Sequence, residues 1–376
     1  MATAGPRQRA AAGRVAIVTE LGWGIVGPGG VADRCVAPAV RQAAGSRLVA
    51  VCSRSLDRAQ AFASGHGAEA GYDDLGQFLR HPGLDVVYVA TPDGLHEEPV
   101  VAAARAGKHV LCELALSLSV ESCSRMIRAC RTAGVVLGTH IQHRHSPANK
   151  EMRRLIQEGA VGEVLQARAQ YCLPSVAAFG GRMGLPAQDW EVNATPVFDH
   201  PRPAWKADPA VRGGGVSAST GPSAVDLLRY LLNREVEEVF AYSDGATAPR
   251  GLETVATVLL RFEGGLLATM EANQRNPYAD NDVVVYGTQG RLASLGGLRL
   301  YTDGDLELVN EAGRRRTEFR QGNVYVDVVE AFSQAVHGNG EFLPSGVDGL
   351  REREINLAWV ESARTGRPVR VQRHDP

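Results

Sequence analysis

The chain has 376 residues, 44% of them hydrophobic and 22% charged, and its formal net charge is −2. This length exceeds what one compact core usually holds, so two domains are expected. The near-neutral balance and the absence of any long apolar run argue against a nucleic-acid partner and against a membrane span.

The six cysteines show no spacing typical of zinc ligands, and several lie within apolar runs. We therefore expect buried, reduced thiols in a cytoplasmic protein, with no structural metal ion. Residues 1–18, which are mostly small and basic, are predicted to form a disordered leader.

From Leu21 onwards, the first part of the chain alternates short apolar strands with helices. A helix is predicted from Val31 to about Ala44, and strands are predicted at "WGIVG", "RLVAVC", "DVVYVA", "HVLC" and the start of "VVLGTHIQHRH". Continuous apolar strands between helices indicate a parallel sheet that is covered on both faces. This α/β pattern predicts a dinucleotide-binding domain over residues 19–143.

After Pro147, the pattern changes to one helix followed by longer strands in which apolar and polar residues alternate. Alternation of this kind favours a mainly antiparallel sheet with one covered face. We place a domain boundary near Gln142–Ser146 and assign residues 144–376 to a second domain for substrate binding and oligomerisation. The last helix, about Gly349–Thr365, is expected to pack back on the first domain.

A glycine-rich stretch, "GPGGVA", lies directly after the first strand and at the start of a helix. Its spacing is that of a loop that binds the pyrophosphate of a dinucleotide. Gly27 permits the tight turn, Gly29 lets the backbone approach the ligand, and Ala32 allows close helix packing. With Gly30 and Val31, these residues are the predicted cofactor loop; the alternative is a glycine-rich turn without a ligand.

Ser53 and Arg54 follow the second strand. At this position, an NAD-preferring site usually carries a carboxylate that binds the ribose 2′-hydroxyl. A guanidinium pairs with a 2′-phosphate, whereas a carboxylate repels it. We therefore predict that NADP(H) is preferred, although NAD stays an alternative. Arg54 has a second interpretation, as a solvated loop charge.

Seven stretches together resemble the Gfo/Idh/MocA family, the glucose-fructose oxidoreductase and inositol dehydrogenase group. They occur in the family's order and span nearly the whole chain: "WGIVGPGGVA", "AVCSRSLDRAQAFA", "YDDLGQFLRHPGLDVVYVATPDGLHEEPVVAAARAGKHVLCE", "HRHSPANKEMRRLIQEGAVGEV", "GGGVSASTGPSAVDLLRYLL", "VYGTQGRL" and "SARTGRPV". The resemblance implies a Rossmann domain followed by an α/β domain with a large, mainly antiparallel open sheet, which commonly mediates homodimers or homotetramers. It also implies oxidation or reduction of sugars and cyclic polyols.

The resemblance further implies which residues lie along the cofactor. Thr91 and Pro92 would run beside it, and Glu113 would lie beside the nicotinamide ribose. His96 begins the next helix, where a packing role is the alternative to a chemical one. Gln142 is assigned to the same cofactor crevice.

The resemblance fails at the residues that move the proton. The family's lysine and proline after the glutamate are replaced by Leu114 and Ala115. Ser219 stands at the position of the family's aspartate, and Ser223 at that of its catalytic histidine. A serine hydroxyl donates a hydrogen bond but is a poor general base without an activating neighbour. The pocket should therefore be less charged and roomier than in the family.

Several residues are candidates for the missing proton-transfer role, namely His140, Lys206, Tyr171, Ser219 and Ser223. If the chain after the sixth strand is extended, His140 shares a face with Gln142, and His143 and His145 point the other way. The three histidines would then share no face, and a metal site is not expected. Lys206 is either an anion ligand or a solvated lysine, and Tyr171 either reaches the cleft or packs in the core.

These observations predict an NADP-binding, oxidoreductase-like enzyme for a carbonyl, imine or sugar-derived substrate, with a relocated proton donor. One alternative is a non-redox enzyme, such as a cyclase, lyase or hydrolase, that keeps the nucleotide for structure. Another is a catalytically inactive, cofactor-binding regulatory protein, although no appended DNA-binding domain is evident.

Overall fold

The structure, a computed structural model, describes residues 20–173, 208–245, 252–276, 278–299, 304–319 and 322–376. It contains a six-stranded sheet and a nine-stranded sheet, each with helices packed against it. The predicted α/β class, a Rossmann-type domain plus a second domain with a large open sheet, is confirmed. In these described segments, no helix is both long and apolar enough to cross a membrane.

The first sheet is entirely parallel and has the strand order β3-β2-β1-β4-β5-β6. Its strands are β1 (Leu21–Val26), β2 (Ser46–Cys52), β3 (Ala70–Tyr72), β4 (Val86–Val89), β5 (His109–Glu113) and β6 (Leu137–His140). The order reverses between β1 and β4, and such a reversal opens a ligand crevice at the carboxyl ends of the strands.

The helices that cover this sheet are α1 (Ala37–Gln42), α2 (Leu56–His66), α3 (Leu75–Leu79), α4 (Glu97–Arg105) and α5 (Val120–Ala133). A π-helical turn over Ala32–Val36 runs directly into α1, so the predicted first helix begins with an irregular turn. The Ser119 side chain accepts a hydrogen bond from the Ser122 N–H and so caps α5, as predicted.

The chain after β6 is not extended. Residues Gln142–His145 form a single 3-10 turn, followed by α6 (Pro147–Gln157). The expectation that alternate side chains point to opposite faces here is therefore wrong. The turn brings all three histidines, His140, His143 and His145, into buried positions.

The second sheet has the order β14-β13-β12-β11-β7-β10-β9-β8-β15, and only the β7–β10 pair is parallel. Its strands are β7 (Val164–Cys172), β8 (Val236–Ser243), β9 (Val255–Phe262), β10 (Leu267–Asn273), β11 (Val283–Gly287), β12 (Gly290–Leu295), β13 (Asp305–Asn310), β14 (Gly313–Glu318) and β15 (Val369–Arg370). A short helix, α7 (Pro209–Arg212), and a longer one, α8 (Thr220–Leu232), connect β7 to β8. The inner face packs on α8, and the outer face is open, with Leu259 and Leu267 about half exposed.

Two C-terminal helices return to the first sheet. Helix α9 (Val324–Val336) places Tyr325, Val328 and Phe332 in the same core as Trp23, and the Trp23 and Phe332 rings lie 5.6 Å apart. Helix α10 (Gly346–Thr365) contacts α5 and β6 of the first domain as well as α8 and β8 of the second. The last helix therefore bridges both domains.

A buried group of ion pairs joins these elements. The Arg144 guanidinium, in the turn after β6, donates to both oxygens of Asp226 on α8, at 2.7 and 2.5 Å. It also donates to Asp348 in the first turn of α10, at 2.9 Å. Because Asp226 is completely buried, this pair fixes how α8 sits against the first domain.

Candidate functional site

The glycine loop lies at the carboxyl end of β1, where the sheet order reverses. Gly27 has φ +88°, and a Cβ added there would lie 2.8 Å from the Ala90 carbonyl group, so only glycine fits. Gly29 faces open space instead, with no atom nearer than 3.9 Å to an added Cβ. Open backbone at a helix start is the environment that suits a pyrophosphate, so the loop fits a dinucleotide.

Two contacts of Asp33 fix the start of the helix that follows the glycine loop. The Asp33 N–H donates to the Gly29 carbonyl at 2.9 Å, and the buried Asp33 carboxylate lies 2.6 Å from Nε2 of His66 at the end of α2. Ala32 is fully buried, as its close packing requires, whereas Val31 is 43% exposed. Gly30 is half-buried, and its carbonyl accepts from Arg34 Nε at 3.2 Å.

The end of β2 carries the predicted determinants of cofactor preference. Ser53 is tied to β3 through its N–H, which donates to the Tyr72 carbonyl at 3.0 Å, and Arg54 is exposed. Arg58, one helical turn further on, donates through Nη2 to the Pro28 carbonyl of the glycine loop at 2.8 Å. Arg58 was not among the residues predicted from the sequence, because its reach from the first turn of α2 to the glycine loop is a tertiary contact that no local pattern marks.

His96 connects two segments of the crevice. Its Nε2 lies 2.8 Å from the Thr91 carbonyl, and its Nδ1 lies 3.0 and 3.1 Å from the carbonyls of Ala115 and Leu116. The ring is fully buried, and this burial lowers its pKa. The geometry fits the packing alternative for His96, because the ring ties the loop after Thr91–Pro92 to the segment after β5.

Glu113 lies at the end of β5, directly beside His140 at the end of β6. The Tyr88 hydroxyl donates to Glu113 Oε1, and His140 Nδ1 lies 3.1 Å from the same oxygen. Burial acts to raise the pKa of Glu113, but His140 and Tyr88 oppose it, and the pKa lies below its usual range. Glu113 is therefore a carboxylate at neutral pH, and its side chain keeps 21% exposure.

His140 does not open into the crevice. Its side chain is 3% exposed, and its ring packs between Tyr88 and Tyr325, with ring centroids 5.6 and 5.2 Å away. The structure thus places this candidate proton donor behind Glu113, where it contacts the carboxylate instead of an open cleft.

The segment after Glu113 packs against the second domain. The Leu114–Ala115 peptide is cis, and Ala115 and Leu116 are buried. The Leu118 side chain fills the space between Gly94 of the first domain and Gly213 of the second. The segment that follows Leu114 is therefore held at the domain seam by apolar contacts.

Ser219 and Ser223 lie at the first turn of α8. The Ser219 hydroxyl donates to the Gly215 carbonyl at 2.9 Å and accepts from Gln274 Nε2 at 2.7 Å. Ser223 is buried one turn further along the helix. The Ser219 hydroxyl donates to a backbone carbonyl and not to a basic side chain, so neither of these two contacts activates it as a general base.

The other predicted groups fall in different places. Lys206 lies outside the described residues. Tyr171 is buried, which raises its pKa, and its ring meets that of His143 edge to face at 5.2 Å. Gln142 is also buried, with Nε2 3.4 Å from His143 Nε2. Among the residues that the structure describes, no three histidine, cysteine or acidic side chains are grouped as metal ligands would be.

The seam between the domains runs past Asp93, which directly follows Pro92. The turn Asp93–Leu95 contacts α7, because an added Cβ on Gly94 would lie 3.1 and 3.3 Å from the carbonyl oxygens of two α7 residues. Arg212, at the end of α7, donates through Nη2 to the Gly215 carbonyl at 3.4 Å. This is the carbonyl that also binds the Ser219 hydroxyl. Sequence analysis missed both Asp93 and Arg212.

Comparison with known proteins agrees with this arrangement of domains. Residues 21–141 match the model of an oxidoreductase family with an NAD-binding Rossmann fold (GFO_IDH_MocA), and residues 149–293 match the GFO/IDH/MocA C-terminal domain. A 1,5-anhydro-D-fructose reductase of Ensifer adhaerens is 30% identical over 351 residues, which are 93% of this chain and 98% of that protein.

A second relative and a solved structure extend the comparison. A D-xylose 1-dehydrogenase (NADP(+)) of Haloferax volcanii is 30% identical over 93% of this chain and 99% of its own length. The crystal structure of an aldose-aldose oxidoreductase from Caulobacter crescentus, complexed with glycerol, superimposes with a TM-score of 0.80 at 25% identity. That match covers 93% of this chain and 99% of the other.

Proposed function

Because the chain belongs to the Gfo/Idh/MocA oxidoreductase family, we propose that it transfers hydride between NADP(H) and a small carbonyl or sugar-derived substrate. The observation that carries the proposal is the crevice itself. An open glycine loop at Gly29 and the ionised Glu113 lie at the carboxyl ends of one parallel sheet, where a dinucleotide extends from pyrophosphate to nicotinamide.

The preference for NADP(H) is supported by the charges around the end of β2. Arg54 is exposed there, and Arg58 reaches the glycine loop from the next helix. Ser53 takes the place of the carboxylate that would hold an unphosphorylated ribose. A 2′-phosphate at this position would meet two guanidinium groups and the α2 helix start.

The substrate class is inferred from the groups that surround the seam. Leu114 offers no charge, and the hydroxyls of Ser219 and Ser223 are small hydrogen-bonding groups. Such a pocket suits a substrate with fewer hydroxyls or more bulk than a free polyol, such as a ketone of an anhydro sugar. The reductase of Ensifer adhaerens, which is similar over nearly the full length, supports this class.

The role that we propose for each residue follows from its position in the crevice. When bound, the cofactor supplies or accepts the hydride. The glycine loop with Gly27–Ala32 would hold the pyrophosphate, and Thr91–Pro92 would line the nicotinamide half. Glu113 would accept a hydrogen bond from the ribose, with His140 keeping the carboxylate ionised and oriented. The mechanism departs from the family's because Leu114, Ser219 and Ser223 stand at its proton-transfer positions.

The test is a substrate panel followed by the absorbance of reduced nicotinamide. Purified protein is incubated with NADPH or NADH and with 1,5-anhydrofructose, simple aldoses, ketoses and cyclic imines. Turnover of at least one carbonyl, faster with NADPH at equal concentration, is expected. Tight NADPH binding without turnover of any substrate would refute the redox proposal and favour a non-redox reaction.

We also propose that the open face of the second sheet forms a homodimer or homotetramer contact. Leu165, Leu259 and Leu267 each expose about half of their surface on that face. Light scattering of the wild-type chain and of Leu259→Lys tests this, with the variant expected to be smaller. A monomeric wild type at micromolar concentration would exclude it.

A further inference from the structure

The family's proton-transfer positions hold no titratable group in this chain, yet a carboxyl group lies at the seam where substrate would bind. We propose that Asp93 is the catalytic acid–base residue, the group that exchanges a proton with the substrate oxygen. The inference rests on the proposed redox function and names the residue that completes it.

The position of Asp93 supports this role. It directly follows Thr91–Pro92 at the carboxyl end of β4, so it belongs to the edge of the sheet that faces the cofactor crevice. Helix α7 of the second domain contacts the turn over Asp93–Leu95. The residue is therefore half-buried between the domain that holds the cofactor and the domain that holds Ser219.

The other polar groups of this loop are already occupied. Thr91 Oγ1 donates to the Leu95 carbonyl at 3.1 Å, and both nitrogens of His96 face carbonyl oxygens. The Leu95 N–H donates to the Pro92 carbonyl at 2.7 Å. The Asp93 carboxyl, in contrast, makes no hydrogen bond to another residue of the described segments. Among the polar side chains of this loop, that of Asp93 is therefore the one available to bind a ligand.

The charges around Asp93 come from three elements. Arg212 on α7 and Arg353 on α10 favour the ionised carboxylate, while Glu113 on β5 and Glu352 on α10 oppose it. Burial has the largest effect, and the pKa of Asp93 lies well above its usual range. A carboxyl group with a raised pKa holds its proton to higher pH than an exposed aspartate does and can return to the carboxylate beside a guanidinium, as acid–base catalysis requires.

Arg212 links this carboxyl group to the hydroxyl of the second domain. Its guanidinium shares the Gly215 carbonyl with Ser219, whose hydroxyl is in turn held by Gln274. A substrate oxygen placed between the domains would meet the Asp93 carboxyl, which would move the proton. Ser219 would hold the Gly215 segment in place, because its one hydroxyl proton is donated to the Gly215 carbonyl.

The proton balance is simple. In carbonyl reduction, the O–H bond of the Asp93 carboxyl breaks and its proton forms the O–H bond of the alcohol. The carbonyl carbon gains its electron pair as hydride from the reduced nicotinamide cofactor. The aspartate that remains is stabilised by Arg212 until it takes a proton from solvent, and alcohol oxidation runs the same steps in reverse.

The kinetic test compares Asp93→Asn, Asp93→Glu and, as a matched control, Asp280→Asn at an exposed aspartate of the second domain. Asp93→Asn should lower kcat by about 10²–10⁴-fold, with the Kd of NADPH and the melting temperature unchanged. Asp93→Glu should recover part of the rate, and Arg212→Gln should move the alkaline fall of the reduction rate to higher pH. A kcat for Asp93→Asn within threefold of the wild type overturns the inference.

A second readout needs no turnover. In carbon-13 spectra of aspartate-labelled apoprotein, one carboxyl signal should titrate well above the usual range and should vanish in Asp93→Asn but not in Asp282→Asn, a second aspartate whose pKa burial raises. Absence of that signal overturns the inference even when the wild type is active. If the wild type itself reduces no carbonyl, the redox function fails along with the inference, and that outcome is recognisable from the wild type alone.

Discussion

Glu113 and His140 are register neighbours on the parallel strands β5 and β6, and the His140 Nδ1 atom lies 3.1 Å from the Glu113 carboxylate. We propose that Glu113 lies beside the nicotinamide ribose at this strand end. Because the histidine is closed off from the crevice, its contribution passes through Glu113. His140 is thus a positioning residue in our interpretation, and the distinction can be measured.

Replacing His140 by Ala should weaken NADPH binding about tenfold and lower kcat by less than tenfold, because Glu113 loses the group that keeps it ionised and oriented. Cofactor titration and steady-state kinetics measure the two effects separately. His145→Ala serves as the control, since that buried ring stacks on Phe342, away from Glu113. A kcat lowered 10²-fold or more with an unchanged Kd would instead identify His140 as the proton donor.

Arg58→Gln should weaken NADPH binding about tenfold or more while changing NADH binding less than threefold, because a charge-assisted hydrogen bond to a phosphate contributes roughly 1.5–3 kcal/mol. Arg54→Gln should behave in the same way. Arg41→Gln, an exposed arginine in the last turn of α1, is the control. Equal losses for both cofactors would mean that Arg58 contacts the shared pyrophosphate and does not select between them.

Glu352 on α10 should make the protein's stability depend on pH. Burial raises its pKa to about 8, against Arg353, which lowers it. In the folded state Glu352 keeps its proton up to about pH 8, whereas in the unfolded chain it loses that proton above pH 4.5. The free energy of unfolding therefore falls as the pH rises from about 5 to 8. Over this pH range, the free energy of unfolding of Glu352→Gln should rise relative to that of the wild type, by at most roughly 1.4 kcal/mol per pH unit.

Urea unfolding at several pH values measures this difference. The exposed Glu341→Gln is the control and should follow the wild type throughout. A constant difference between Glu352→Gln and the wild type from pH 5 to 8 would show that Glu352 is ionised over the whole range.

Asp226→Ala should destabilise the protein by about 3–5 kcal/mol, because it leaves the buried Arg144 guanidinium without its main partner. Replacing both residues, as Arg144→Met with Asp226→Leu, should restore much of the loss. The exposed pair of Arg154 and Glu151 provides the comparison, and Arg154→Ala should cost less than about 1 kcal/mol. Chemical denaturation measures the free energy of unfolding of Asp226→Ala, of the double variant and of Arg154→Ala. Equal losses for Asp226→Ala and Arg154→Ala would contradict the larger contribution expected of the buried ion pair.

Much of the fold was accessible from sequence because the signals are local. Each buried parallel strand is a continuous apolar run, as in Val86–Val89, and the glycine loop follows its strand directly. The family resemblance, which the comparisons confirm, rests on motifs of this kind. The strand predicted at the start of "VVLGTHIQHRH" is present, but the extended arrangement considered for His143 and His145 does not occur, because the chain turns at Gln142 before Pro147 starts the next helix.

The site was less accessible because its contacts join distant parts of the chain. Asp93 and Arg212 are brought together only when α7 packs on the turn after β4, and neither residue type marks a site by itself. The burial of His140 depends on Tyr325, which comes from α9 near the other end of the sequence. Which side chains face the crevice was therefore not predictable from the sequence.

The packing of α9 has a consequence for how the protein is made. The core that contains Trp23 is completed by Phe332 and its neighbours, which the ribosome adds only after nearly all of the second sheet. During synthesis, one apolar face of the nucleotide-binding half therefore stays exposed until α9 has been made. A fragment ending at residue 143 would keep that face exposed permanently and should aggregate, so this half cannot be studied as an excised unit.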